Sequence, residues 1–227
     1  MMCGRFSRSR PLKVIAQLWL PEALRTIPAK DPGPHYNIPP GVDIPVFRSD
    51  EEGQAELAMP RWGFRPRWAD ESAPKPINAR SEKVATSPWF REAFAHRRCL
   101  VPADGWFEWR AGPSGKQPYY ITLAEEDSDP GMLFAGIWEP TPDGEGAVCA
   151  ILTQPARGPL TQIHPRQPVV LDPESRRDWL DPERVDRDAV REAARPLDVG
   201  RLRSWPVSTR VNRPAHDEPA VREAVEV

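Results

Sequence analysis

Cys99-Leu100-Val101-Pro102-Ala103-Asp104-Gly105-Trp106-Phe107-Glu108-Trp109 reads as two strands, 99–102 and 106–109, joined through Ala103-Asp104-Gly105. Apolar and aromatic residues suit a pleated, half-buried surface. Successive strand residues face opposite ways, so Trp106 and Glu108 share one face. A carboxylate set between aromatic side chains is poorly explained as a solvated charge. It is either one half of a buried ion pair or a group that does chemistry.

Working outward, strand-like runs follow at 119–123, 132–138, 147–153 and 169–171, with a last one at 202–207. Upstream, 44–48 and 54–59 read as strands around a polar turn at 49–53. Residues 12–25 carry Ile15, Leu18 and Trp19 behind Pro11 and predict a short helix. Ser87-Pro88 predicts a helix running to about 97, by the N-cap and first-turn preferences of serine and proline. Asp172-Pro173-Glu174 and Asp181-Pro182-Glu183 resemble capped helix starts, the second helix reaching about 194. The proline-rich residues 33–41 predict irregular chain, 65–76 a long loop, and the tail from 215 a frayed end. The expected fold is α+β: a single domain, residues 1–214, with a mixed, barrel-like β core flanked by helices, then a frayed tail over 215–227.

Composition narrows the class. The chain has 227 residues, 39% hydrophobic and 28% charged, ordinary for a globular protein. The 29 prolines favour short strands and turns over long helices. No apolar run approaches the roughly 18 residues of a membrane span. Met1-Met2-Cys3-Gly4-Arg5-Phe6 lacks the apolar core of a signal peptide, so the expectation is a cytoplasmic protein without membrane association. A net charge of −2 gives no global basic field. Arginines do cluster at 5–10, 61–67 and 91–98, which leaves room for a local basic groove.

The three cysteines are an odd number without a C-x-x-C pair, which fits neither a disulfide framework nor a zinc site. No metal or cofactor is expected. Cys99 and Cys149 lie in apolar stretches and read as small core hydrophobes. Cys3 does not. As a terminal residue after processing it would carry an amine of pKa roughly 7.7–8.0 beside a thiol of roughly 8.5. Two nucleophiles on adjacent carbons can trap an aldehyde: the amine forms an imine and the thiol closes a thiazolidine. An internal cysteine cannot, because its nitrogen is an amide. The alternative is a disordered terminal residue.

Four further segments bear on that choice. Asn78-Ala79-Arg80-Ser81-Glu82 groups an amide, a guanidinium and a carboxylate; Glu108 stands between aromatics; Thr153 ends a buried-looking strand; and Ile163-His164-Pro165-Arg166-Gln167-Pro168 puts His164 and Arg166 on a proline-braced turn. Singly, Asn78 also fits a turn residue, Glu108 a structural ion pair and His164 a satisfied core histidine.

Together with Cys3-Gly4-Arg5-Phe6, Tyr36-Asn37-Ile38-Pro39-Pro40 and Trp62-Gly63-Phe64, these segments resemble the SOS response-associated peptidase family, the abasic-site-processing proteins that crosslink to DNA. The resemblance spans essentially the whole chain. It implies that Cys3 forms a thiazolidine with the ring-opened sugar of an abasic site in single-stranded DNA. It further implies that Asn78 places the reacting terminus, that Glu108 positions the amine and moves protons, and that His164 assists ring opening. Arg80 and Arg166, with Arg5, would contact phosphates, and Trp68 would stack on a neighbouring base. Without the resemblance, those arginines read as surface charges and Trp68 as a packing residue. The implied protein is a cytoplasmic monomer, nucleoid-associated when on DNA, with self-processing peptidase and weak lyase activity.

The sequence departs from the family pattern in three places. Two methionines precede Cys3, so either Met2 is the start or the protein trims itself. Gln167 stands where many members have methionine, and Ala69 where some have a second aromatic. Two other functions fit part of the pattern: a cysteine peptidase with Cys3 as nucleophile and His164 as base acting on protein substrates, and a non-covalent single-strand binder, which leaves Cys3, Asn78 and Glu108 idle.

Overall fold

Alternation along the central strands sets the layering. In the computed structural model, which describes residues 4–28, 31–113, 115–124 and 131–226, two sheets stack on each other. One holds, in spatial order, β13 (Leu202–Pro206), β9 (Gly115–Leu123), β8 (Gly105–Gly112), β1 (Phe6–Arg8) and β2 (His35–Ile38). The other runs β12 (Arg166–Pro168), β11 (Ala147–Pro155), β10 (Met132–Pro140), β7 (Arg98–Ala103), β3 (Val46–Ser49) and β4 (Ala55–Ala58). Two short strands, β5 (Arg61–Trp62) and β6 (Asn78–Arg80), lie parallel against β11, which makes this sheet mixed.

Period-two side chains then divide the core. Leu133, Ala135 and Ile137 of β10 join Phe47, Leu100, Ala150 and Leu152 on the outer face of the mixed sheet. There they pack against α1 (Leu12–Trp19), α3 (Arg91–His96), α4 (Arg176–Leu180) and α5 (Arg187–Ala193), through Leu12, Ile15, Phe94, Trp179 and Val190. Between them in chain order, α2 (Ser81–Val84) is a single turn that follows β6 directly. The intervening residues Phe134, Val101, Cys99, Cys149 and Ile151 point inward and meet Phe6, Trp106, Tyr119 and Ile121 of the other sheet. On that sheet's far side Phe107 and Tyr120 are covered by Val207, Val211 and Val221.

The α+β class is as expected, and the barrel-like description is too strong: two open sheets stack face to face without closing. Cys99 and Cys149 are fully buried core residues, and burial raises both thiols well above the usual cysteine range.

Several boundaries differ from the sequence reading. The helix expected over 12–25 stops at Trp19, and a 3-10 turn, Pro21–Thr26, follows, because Pro21 has no N–H to continue the ladder. Residues 33–41 are not wholly irregular: β2 forms there by pairing with β1. After Ser87-Pro88 a turn intervenes before α3 begins at Arg91. Asp181 caps only a turn, through Glu183 N–H, while Asp186 caps α5 through Asp188 and Ala189 N–H. Residues 169–171 make isolated bridges rather than a strand.

The tail is the largest correction. Residues 215–226 are docked, not frayed. Asp217 accepts backbone N–H groups of Tyr36 and Asn37, Val221 is buried, and Ala224 bridges to Val207. Val221 of this segment, with Val207 and Val211 just before it, covers the sheet face carrying Phe107 and Tyr120.

Candidate nucleic-acid interface and reactive centre

Glu108 is a buried element of the site. It lies on β8, opposite Tyr119 of β9, and is 3% exposed. As the alternation predicted, it shares a face with buried Trp106. Its Oε2 lies 3.8 Å from Nδ1 of His164, on the turn before β12, so a side chain of one sheet meets a side chain bordering the other.

His164 Nδ1 also lies 3.2 Å from the Arg166 backbone N–H and 3.1 Å from the Arg166 carbonyl. One donor and two acceptors therefore surround a single ring nitrogen. That setting accommodates Nδ1 with or without its proton, as a group that gives and takes protons requires. Burial holds the pKa of His164 below the usual histidine value, partly offset by the backbone hydrogen bond at Arg166.

Arg166 continues the line outward. Its Nη1 and Nη2 grip Glu82 at 2.5 and 2.9 Å, and Nη2 also donates to the Thr153 carbonyl at 2.6 Å and to the Thr153 hydroxyl at 3.2 Å. This bidentate grip pulls the Glu82 carboxyl down to about 2. Thr153 pairs in register with Arg80, and Ile151 with Asn78. The parallel strand β6 thus sets Asn78 and Arg80 alongside the strand that carries Thr153.

Asn78 and Arg80 line a groove of about 810 Å³, together with Lys75, Lys83, Trp89 and Phe90. Cations beside flat apolar surface suit a strand with a charged backbone and stacking bases. Trp68 is 65% exposed, lines a neighbouring pocket and packs edge-on against Trp89 of that groove, ring centroids 5.3 Å apart. The loop carrying Trp68 is held at both ends and in the middle. Phe64 N–H donates to the Pro76 carbonyl at 2.9 Å, and Arg67 reaches buried Glu139, which also pairs with Arg97. An exposed indole on an anchored loop is a presented side chain.

Arg5 points the other way. Its Nη1 donates to Asn37 Oδ1 at 2.8 Å and to the Val211 carbonyl at 2.6 Å, and its half-buried position lowers its pKa. The expected phosphate contact at Arg5 is thus set against an inward anchoring role. Cys3 lies outside the described residues. Among the described residues no group of three or more His, Cys, Asp or Glu could hold a metal, and no helix is long and apolar enough to cross a membrane.

Glu108, His164, Arg166, Asn78 and Arg80 are therefore linked through contacts and strand register, and Trp68 packs on Trp89, which lines the groove of Asn78 and Arg80. Sequence reasoning missed Lys75, Lys83, Trp89 and Phe90 as lining, and Glu82 as the partner of Arg166. Paired aromatics just after Ser87-Pro88 were the available signal.

Residues 2–214 match the family model described as SOS response associated peptidase (SRAP). The chain belongs to the SRAP family. Among its relatives, the abasic site processing protein YoqW of Bacillus subtilis is 33% identical across 98% of this chain and 100% of its own. The abasic site processing protein YedK of Escherichia coli is 36% identical across 92% and 94%. The Xenopus tropicalis abasic site processing protein HMCES is 30% identical across 87% of this chain and 66% of its own. A phage-related protein of Bordetella bronchiseptica superposes with a TM-score of 0.68 at 33% identity, over 90% of this chain and 94% of that one. A Bacteroides thetaiotaomicron protein shares the SRAP fold at a TM-score of 0.79 and 23% identity, over 99% of this chain and 100% of that one.

Proposed function

We propose that this SRAP protein is a DNA-processing enzyme that captures abasic sites in single-stranded DNA by a covalent bond to Cys3. The observation that carries this reading is the Glu108–His164 contact of 3.8 Å, linked through Arg166 and Thr153 to the groove bearing Asn78 and Arg80. The names of the relatives YoqW, YedK and HMCES support the lesion as substrate.

Strand register supports the nucleophile. Phe6 pairs with Trp106 and Ser7 with Gly105, and Phe107 N–H donates to the Arg5 carbonyl at 2.9 Å. Continued two residues beyond Phe6, through Arg5 and Phe107, this antiparallel register would set Gly4 against Glu108. The chain therefore runs toward the reactive carboxylate as it nears its start.

In the proposed chemistry the Cys3 amine adds to the C1′ aldehyde of the ring-opened sugar. His164 passes the proton that ring opening requires, and Glu108 takes and returns protons as the carbinolamine loses water to give an imine. The Cys3 thiol then adds to the imine carbon and its proton passes to nitrogen, closing the thiazolidine. Arg80 and Arg166 hold flanking phosphates, and Trp68 stacks on a neighbouring base. β-Elimination from the imine accounts for weak lyase activity, and self-processing to expose Cys3 for the peptidase description. The protein acts as a cytoplasmic monomer, nucleoid-associated on DNA.

The test is adduct formation with a single-stranded oligonucleotide carrying one abasic site, after intact mass has established that Cys3 is the first residue. A denaturation-resistant adduct is expected, absent with intact DNA and with Cys3→Ala. Equal adduct from Cys3→Ala rejects this nucleophile.

A further inference from the structure

Asn37 is 1% exposed and sits in the Tyr36-Asn37-Ile38-Pro39-Pro40 segment, to which the proposed chemistry gives no task. Its side chain is fully engaged. Nδ2 lies within hydrogen-bonding distance of three carbonyls, Val211 at 3.2 Å, Arg213 at 3.1 Å and His216 at 2.7 Å. Oδ1 accepts from Arg5 Nη1 at 2.8 Å. Only this orientation of the amide matches donors to acceptors on both sides. The backbone around it is tied to the same segment: Asp217 accepts from Asn37 N–H at 2.8 Å and from Tyr36 N–H, and pairs with His35 at 2.7 Å.

One buried amide therefore joins residues 211–217 to Arg5, nearly the full length of the chain apart in sequence. Arg5 is held three ways: its side chain by Asn37 and by the Val211 carbonyl, its own carbonyl by Phe107 N–H. Phe107 is the neighbour of Glu108. Two residues of extended chain span at most about 7 Å, so wherever Arg5 is fixed, the reach of the first residue after processing is fixed within that radius. A reacting atom displaced by about 1 Å can lose about a hundredfold in rate.

We propose that Asn37 is a positioning residue: it uses the docked segment 211–217 to hold Arg5, and through Arg5 it sets the approach of the reactive amino terminus to the Glu108–His164 pair. The inference rests on the function proposed above. It makes the carboxy-terminal segment part of the reactive centre's support.

The experiment uses the full chain with Asn37→Ala and, at the rim of the same network, Asp217→Asn. Single-turnover adduct formation is followed across a range of concentrations of abasic single-stranded DNA. Equilibrium binding is measured to the same oligonucleotide carrying a tetrahydrofuran residue, which has no aldehyde. Thermal melting checks folding. At saturating DNA the expected rate constant falls about tenfold or more for Asn37→Ala and by a smaller factor for Asp217→Asn, while the half-saturating concentration and tetrahydrofuran binding stay within about threefold. If Asn37→Ala does not fold, Asp217→Asn decides by the same criterion. An unchanged saturating rate in a folded variant, or a loss of binding as large as the loss of rate, overturns the positioning role. A verified wild-type protein that forms no adduct overturns the proposed function itself, and this inference with it.

Discussion

Arg166 grips Glu82 with both terminal nitrogens, at 2.5 and 2.9 Å, while holding the Thr153 carbonyl. The carboxylate occupies the fork that the proposed function assigns to a phosphate, so the two anions compete. Glu82→Gln removes that competitor. Binding to unmodified single-stranded DNA should tighten several-fold at low salt, and the slope of log K against log salt should steepen by about 0.7 for one more phosphate neutralised. Fluorescence anisotropy at three salt concentrations checks both; weaker binding by Glu82→Gln would show that the pair orders Arg166 for DNA rather than occupying it.

His164 should govern the acid side of the reaction. Burial keeps its pKa below the ordinary 6.5, so the imidazole is neutral at pH 7 and available as a base. The limb of the single-turnover rate that His164→Ala removes should therefore lie below pH 6.5, apart from the limb that protonation of the Cys3 amine imposes at about pH 8. His164→Ala should slow adduct formation by about 10²–10⁴. The sign for stability follows from the same shift: the unfolded chain binds the proton more readily, so the contribution is complete above pH 6.5 and is lost as pH falls through the lower folded value. A limb above 6.5 that His164→Ala removes contradicts the assignment.

Glu108 separates chemistry from packing. Glu108→Gln keeps the volume of a 3% exposed side chain and removes a carboxyl that can exchange protons, so adduct formation should fall by at least tenfold. Binding to an oligonucleotide with a tetrahydrofuran residue should hold within about threefold. Loss of binding equal to loss of rate would make Glu108 a structural ion-pair partner.

Trp68→Ala should barely alter folding, since the indole is 65% exposed. Stacking on a base contributes about 1–3 kcal/mol, so affinity for single-stranded DNA should drop by about tenfold. Melting temperature and anisotropy measured together decide: a large melting shift with unchanged affinity would make Trp68 a packing residue.

Gly105 tests the junction of the two sheets. A Cβ there would lie 2.5 Å from the Ile121 carbonyl oxygen and equally close to the Tyr120 ring and hydroxyl. Gly105→Ala should cost about 1–3 kcal/mol in urea unfolding, because backbone and a buried tyrosine have little room to retreat. The Tyr120 hydroxyl also bonds Ser7 at 2.8 Å, so the strain reaches β1. An unchanged midpoint would show that the sheet yields there.

The central strands β7 to β11 were legible because each is at least six residues long and carries apolar or aromatic residues that are buried on both faces. Strands β1, β2, β5 and β6 span only two to four residues, too few to show a period. They exist because a longer strand offers them unpaired backbone groups: β6 lies on β11 by pairing Asn78 with Ile151, far along the chain. Asp181-Pro182-Glu183 carries the same start signal as Asp172-Pro173-Glu174, yet the helix waits for Asp186. A cap satisfies backbone N–H groups wherever they occur; it does not dictate that a helix follows.

The amino-acid order alone determined the α+β class, the inward turn of Glu108 and the burial of Cys99 and Cys149 as core residues. Those follow from local period and side-chain chemistry. Tertiary structure alone decided that His164 meets Glu108 at 3.8 Å, that Arg166 is held by Glu82, and that residues 215–226 are docked on Tyr36, Asn37 and Val207 rather than frayed. Each joins groups distant in sequence, and such contacts depend on how whole sheets stack, which no local pattern encodes.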